Sequence, residues 1–216
     1  MVNRGALMDG FLRLKICHGF GIYFWMISHF WLFTEANGMM TIGHSTLELE
    51  VFLHALRENG CTTLVDVRRF PGSRRHPQFG QDRLFAALDE AGIRAVWREG
   101  LGGRRAAKKD SVNTGWKNES FRGYADYMQS AAFEGEVDWL MKLADFDFAV
   151  VMCAEAVPWR CHRSLIGDAV LARGGVVEDI FVEADGRTSL RPHEMTAFAR
   201  VEGEKVWYPG ERTLFV

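Results

Sequence analysis

Cys161 is the residue of this chain whose surroundings most favour chemistry. It lies in the segment MCAEAVPWRCHRSLIGD, between an apolar run and an amphipathic run, with Arg160 and Arg163 nearby. If Pro158 opens the first turn of a helix, Cys161 lies near the helix start, where free backbone N–H groups and positive charge stabilise a thiolate. The pattern predicts a reactive or ligand-binding cysteine; a small buried thiol that only packs against the sheet is the alternative.

A second cysteine and a histidine accompany Cys161. Cys153 ends the apolar run, where a buried structural thiol is the alternative interpretation, and His162 follows Cys161 directly. Zinc prefers thiolate and imidazole ligands, but the seven residues between the cysteines exceed the usual structural spacing, and a fourth ligand such as His44 would come from elsewhere. We therefore predict no cofactor, and zinc held by Cys153, Cys161 and His162 stays the alternative.

Three further candidates for acid or base chemistry follow predicted strands. His44 lies in GHS, Asp66 in DVRR and Glu155 in CAE. Ligands of open parallel α/β sheets bind beyond the carboxyl ends of the strands, so we expect these groups to share one cavity with Cys161 and to exchange protons there. The alternatives are a histidine that only bonds a neighbouring loop and a buried ion pair between Asp66 and Arg68.

Arginine is concentrated in the same predicted loops. The net charge of the chain is only -2, so such clustering predicts a local positive basin suited to phosphate or carboxylate groups, with solvated charge as the alternative. Aromatic residues are interleaved with these loops, which would allow base stacking. The predicted substrate-binding residues are Ser45, Arg68, Arg69, Arg104, Arg160, His162 and Arg163.

Short apolar runs alternate with helical periods from Met39 onwards, which is typical of strands joined by crossover helices. Residues 39–216 are therefore predicted to form a single α/β domain with a mainly parallel open sheet flanked by helices. We expect Ser45 to cap the first helix, a helical stretch over 121–144 broken near Ser130, and a C-terminal β-hairpin turning at Glu202. The polar segment 98–120 is predicted to be a mobile functional flap.

Residues 1–38 differ in composition from the rest of the chain. Their apolar run, GFGIYFWMISHFWLF, follows basic residues but is shorter than the roughly 20 residues that a membrane-spanning helix needs. We interpret this part as an N-terminal extension, either a start-codon overcall or a peripheral apolar segment, and expect no stable membrane insertion. The four cysteines are irregularly spaced, which favours reduced thiols in a cytoplasmic protein.

Six segments of the chain resemble the DUF488 family, a set of bacterial and archaeal proteins of unknown function. They are TIGHS, LVDVRRFPGSRRHPQF, LGGRR, FRGYADYM, VMCAEAVPWRCHRSLIGD and FARVEGEKVWYP, in this order between Met40 and Pro209. The resemblance implies a single α/β domain and assigns no reaction, so the site residues are inferred from this sequence alone.

The leading hypothesis is an enzyme that acts on a phosphate-bearing substrate, either a nucleotide or a nucleic-acid end. Cys161 would be the nucleophile or an anion-side ligand, with the arginines holding the anion. Two alternatives remain: a non-catalytic module that binds nucleic acid or nucleotides, and a thiol redox or metal-binding protein.

Overall fold

A six-stranded sheet with the strand order β3-β2-β4-β1-β5-β6 forms the centre of the fold. The computed structural model describes residues 38–72, 74–183 and 185–210, so the predictions for 1–37 lie outside the described residues. Five strands are parallel, namely β1 (Gly38–Gly43), β2 (Thr63–Asp66), β3 (Arg94–Trp97), β4 (Ala149–Cys153) and β5 (Val176–Val182). The edge strand β6 (Thr188–Pro192) is antiparallel to β5.

Helices cover both faces of this sheet. They are α1 (Leu49–Glu58), α2 (Gln81–Glu90), α3 (Glu119–Tyr127), α4 (Ala131–Ala144) and α5 (Arg163–Ala172). Side chains alternate along each strand, so Met40 and Ile42 pack with α1 and α2, whereas Met39 packs with α3, α4 and α5. None of the described helices is long and apolar enough to cross a bilayer.

The architecture confirms the predicted α/β class, and the details differ where long-range contacts decide. Ser130 caps α4 by accepting from the Phe133 N–H, so the predicted helix break is correct. The hairpin of β7 (Arg200–Glu202) and β8 (Lys205–Trp207) is also present. Ser45 does not cap α1, however: Glu48 occupies the N-cap, and Ser45 turns the chain at a φ of +46°. The antiparallel strand β6 was not predicted.

The sheet changes its winding direction between β1 and β4. The chain leaves β1 through α1 towards β2 on one side, and leaves β4 through α5 towards β5 on the other. Ligands of open α/β sheets bind in the crevice at such a switch point. The two strand exits are fastened together, since the N–H of His44 donates to the Cys153 carbonyl at 3.0 Å and that of Ser45 to the Ala154 carbonyl at 2.9 Å.

The long polar connection after β3 is packed onto α3. Asp126 accepts from the backbone N–H of Lys108, the hydroxyl of Ser111 and the amide of Asn113, at 2.8, 2.6 and 2.9 Å. Burial by itself raises the pKa of Asp126, but these hydrogen bonds outweigh it and hold that pKa below its ordinary value. The Asp126 carboxylate therefore fixes the middle of the polar connection. The mobility of the whole segment 98–120 stays a prediction.

Candidate functional site

The two thiols nearest the switch point lie beside one another. Cys153 ends β4, and Cys161 lies two residues before α5 begins, because Pro158–Arg160 form a separate 3-10 turn. The sulfur of Cys161 is 3.7 Å from Nδ1 of His162. One side-chain atom from each of Cys153, Cys161 and His162 falls within 4.8 Å of the others, so these three could coordinate a metal ion.

The two thiols differ in proton affinity. Burial alone raises the pKa of Cys161, but the hydrogen bond from Cys153, the charge and hydrogen bond of His162 and the charge of Arg163 together hold it well below its ordinary value. The pKa of Cys153 is raised well above its ordinary value by its hydrogen bond to Cys161 and by burial. The surroundings of the pair therefore favour the thiolate at Cys161 and the proton on Cys153.

Gly102 and Gly103, called the glycine segment below, belong to the polar connection after β3. They cover the cluster of Cys153, Cys161 and His162. Cys161 is only 3% exposed, and a β-carbon at Gly103 would lie 2.9 Å from Nδ1 of His162. The ring of Tyr124 stands 5.0 Å from the imidazole of His162, and its hydroxyl donates to the carbonyl of Leu101 at 2.8 Å. Sequence reasoning named neither Gly103 nor Tyr124 as site residues, although both lie in the recognised LGGRR and FRGYADYM segments.

Arg163 is buried and its guanidinium is used internally. It donates to the carbonyl of Glu155 at 2.7 Å and to the hydroxyl of Thr41 at 3.0 Å, so it holds the loop after β4. Gly43 allows this approach, since a β-carbon there would overlap the Glu155 carbonyl. Arg163 therefore acts on Cys161 through its charge and through the position of the loop.

His44 lies on the opposite face of the sheet from the two thiols. Its ring stacks on that of Phe79, with 4.1 Å between the ring centroids. Burial, followed by the charge of Arg68, lowers the pKa of His44 to about 4, so the ring is neutral at physiological pH. Its Nδ1–H donates to the Ser45 carbonyl at 3.0 Å. Nε2 therefore carries a lone pair, which is buried and has no hydrogen-bond partner among the described residues.

Asp66 and Arg68 form a buried ion pair. Two nitrogens of the Arg68 guanidinium donate to the carboxylate at 2.6 to 3.1 Å, and a third donates to the Phe79 carbonyl at 2.7 Å. This is the alternative that the sequence left open for these residues. Phe79 belongs to the core on the α1 side, whereas Cys161 belongs to the core on the α5 side, so the sheet stands between Asp66 and the thiols.

The remaining predicted residues form an exposed rim. Glu155, Arg104 and Arg160 face solvent, and Arg69 is half-buried with its guanidinium donating to the Arg104 carbonyl at 3.0 Å. Arg104 has a φ of +58°, and it and Ser45 are the two non-glycine residues in the described ranges with positive φ. Backbone strain of this kind concentrates at binding and catalytic sites.

A buried polar network beneath α5 escaped sequence reasoning. His193 bonds the carboxylates of Asp179 at 2.9 Å and Asp168 at 3.3 Å, and Asp168 accepts from the Tyr208 hydroxyl at 2.7 Å. Asp179 also accepts from Thr41, which in turn accepts from Arg163. The acidic residues inside the apolar segments SLIGDAVLA and VVEDIFV were the available signal.

Comparison with known proteins supports the motif resemblance. The sequence model of the family described as "Domain of unknown function DUF488" matches residues 48–170. No curated protein and no solved structure matches the chain. The family match covers more than half of the sequence, including the exits of β2 and β4 and the start of α5. The chain belongs to the DUF488 family.

Proposed function

We propose that this protein is an enzyme that acts on a phosphate-bearing substrate, either a nucleotide or a nucleic-acid end, with Cys161 as its nucleophile. The Cys161 thiolate would form an S–P bond as the P–O bond to the leaving group breaks, the leaving oxygen would take a proton from a neighbouring acid, and water would then cleave the S–P bond. The observation that carries the proposal is the contact of Cys161 with Cys153 and His162 at the switch point of the sheet. A thiolate stabilised by a neighbouring donor and an imidazole is the arrangement that nucleophilic cysteines need. A cytoplasmic location belongs to the proposal, because such a thiol requires a reducing compartment.

The neighbouring residues would divide into three roles. His162 and Glu155 would exchange protons with the substrate, His162 from beside the thiolate and Glu155 from the rim, whereas His44 is stacked on Phe79 across the sheet from the thiols. The accessible donors for the phosphate are Arg69, Arg104, Arg160 and the hydroxyl of Ser45. The buried guanidinium groups of Arg163 and Arg68 would position the loops. Access to Cys161 would require the segment around Gly103 to move away from His162.

Replacement of Cys161 by serine tests the proposal. A thermal-shift screen with nucleotides, sugar phosphates and inorganic phosphate first identifies a stabilising ligand, whose turnover is then measured. We expect Cys161→Ser to lose turnover by at least about 100-fold while the melting temperature stays nearly unchanged. The matched control is Cys61→Ser, which removes a buried thiol in the other core and should keep full turnover. A large loss of stability with retained turnover would make Cys161 a core residue.

A metal-binding or thiol redox protein is the second candidate. The same three side chains, with ligand atoms within 4.8 Å, would leave a fourth coordination position for water or substrate. Metal analysis of the purified protein and titration of its free thiols separate these cases. One metal ion per chain that is lost in Cys153→Ser would favour metal binding, whereas two thiols that disappear together under mild oxidation would favour redox chemistry.

A non-catalytic nucleotide or nucleic-acid module would use the same rim without Cys161. Affinity would then fall steeply with salt and would be indifferent to Cys161→Ser, and no ligand would be turned over.

A further inference from the structure

Exposed aromatic side chains follow the carboxyl edge of the sheet from strand to strand. Trp97 ends β3, Phe70 lies in the loop after β2, and Trp159 lies in the turn after β4, with exposed fractions of 39%, 62% and 60%. The ring of Phe181 in β5 lies 6.0 Å from that of Trp159. A single exposed aromatic side chain is ordinary on a protein surface, so it is the placement of Trp97, Phe70 and Trp159 at the exits of the neighbouring strands β3, β2 and β4 that indicates a binding surface.

Guanidinium groups accompany these rings. Arg69 and Arg104 place their Cζ atoms 5.8 and 5.7 Å from the centre of the Phe70 ring, and Arg191 places its Cζ 4.5 Å from that of Phe181. The hydrogen bond from Arg69 to the Arg104 carbonyl holds the first pair together. Flat apolar surfaces beside positive charges match a ligand that combines aromatic rings with negative charge.

The length of the row argues for a polymer. From β3 to β5 the sheet makes four inter-strand steps of about 4.8 Å each, which amounts to about 19 Å. One nucleobase covers one ring, so a single nucleotide would leave most of this edge bare. A peptide of acidic residues alone, such as poly-glutamate, would satisfy the arginines but would supply no rings for Phe70 and Trp159.

We infer that the carboxyl edge of the sheet binds single-stranded nucleic acid, with bases stacked on Phe70 and Trp159 and phosphates held by Arg69, Arg104 and Arg160. This rests on the proposed function, because it names the substrate class of the same site. The nucleic-acid chain would pass over the loop after β4, which Arg163 holds, and over the glycine segment that covers Cys161. A base pair buries both base faces against its neighbours in the duplex, so single strands are expected to bind more tightly than duplexes.

Fluorescence anisotropy of a labelled oligothymidylate with the full chain tests the inference. We expect Phe70→Leu and Trp159→Leu each to weaken binding roughly 5- to 150-fold. The matched control is Phe146→Leu, since Phe146 is 87% exposed at the opposite edge of the sheet and should leave binding unchanged. Affinity should fall with salt, and the corresponding duplex should bind at least about tenfold more weakly.

Several outcomes would overturn the inference. Three results would show that Phe70 and Trp159 form no stacking surface. They are an equal loss of affinity in Phe70→Leu and Phe146→Leu, an unchanged affinity in both Phe70→Leu and Trp159→Leu, and equally tight binding of the duplex. Equal competition by poly-glutamate would make the edge a site for acidic protein. Cys161→Ser separates this from the proposed function: oligonucleotide binding that persists without any thiol-dependent turnover would keep the inference and reject the enzyme. Turnover of mononucleotides without oligonucleotide binding would do the reverse.

Discussion

Buried and exposed arginines have different tasks around this site. Arg68 and Arg163 are buried, and a guanidinium away from water needs acceptors, which Asp66 and the Glu155 carbonyl supply. Their charge still reaches the site, because it contributes to the low pKa values of His44 and Cys161. Water reaches the rim arginines Arg69, Arg104 and Arg160, so their guanidinium groups do not depend on buried acceptors and are available to a ligand.

Neutralisation of Asp66 should expose the cost of this arrangement. Asp66→Asn leaves the buried Arg68 guanidinium without a counter-charge, so we expect a loss of about 3–5 kcal/mol in the free energy of unfolding. Urea denaturation measures it. The control is the double variant Asp66→Leu with Arg68→Met, which removes both charges and should recover much of the loss. A change below about 1 kcal/mol in Asp66→Asn would contradict the buried pair.

At the scale of elements, glycines set how closely segments approach. Gly43 lets the loop after β4 lie against β1, Gly103 lies on His162, and Gly123 in α3 lies against the backbone at Arg105. A β-carbon at Gly123 would lie 2.1 Å from the Arg105 carbonyl oxygen. The contact joins the backbone of α3 to the backbone of the polar connection, so no flexible side chain can move to relieve it. The glycine segment and α3 are therefore positioned together.

Two alanine substitutions in adjacent helices should have opposite effects. Gly123→Ala forces α3 away from the segment at Arg105, and we expect a loss of about 1–3 kcal/mol in unfolding free energy. Gly135→Ala in α4 meets no atom within 4 Å, so it should stabilise the protein by about 0.5–1 kcal/mol through helix propensity. Thermal and urea denaturation of both variants check the signs. Similar changes in the two variants would show that α3 does not contact the segment this closely.

At the scale of the whole molecule, two buried histidines act in opposite pH ranges. Burial lowers the pKa of His193, but hydrogen bonds to Asp168 and Asp179 outweigh it and raise that pKa to about 9. Its ring therefore stays protonated at neutral pH and joins Asp168 of α5 to Asp179 of β5. Tyr208, which follows the C-terminal hairpin, donates its hydroxyl to the same Asp168. The pKa of His44 is instead lowered to about 4.

Stability should accordingly fall on both sides of pH 6.5, where an unfolded histidine titrates. The stabilisation from protonated His193 is complete below pH 6.5 and is lost as the pH rises through about 9. This loss amounts to about 3 kcal/mol in the free energy of unfolding. The stabilisation from keeping His44 neutral is complete above pH 6.5 and is lost as the pH falls towards 4. Urea denaturation at several pH values measures both ranges.

One variant for each histidine separates the two effects. His193→Gln should flatten the stability curve between pH 6.5 and 9. His44→Gln should flatten the range between pH 4 and 6.5 and leave the alkaline range unchanged. If His193→Gln kept the wild-type alkaline loss, the charged state of His193 in the folded protein would be wrong.

Local sequence patterns were sufficient to predict the α/β class, most element positions and the family. Apolar periodicity, the helix break near Ser130 and the motif segments are local, so they can be read without knowing which strands become neighbours. Cys161 and His162 are adjacent in the chain, and their association needed no tertiary information.

How the candidate residues combine depends on contacts that no local pattern contains. The strand order brings the end of β4 beside β1, and the path from β4 through a 3-10 turn into α5 returns Cys161 to Cys153. Alternation along β2 turns Asp66 to the opposite face from the thiols, and burial commits Arg163 to backbone carbonyls. These outcomes depend on contacts between distant segments, whereas the residue types at each position are compatible with either role.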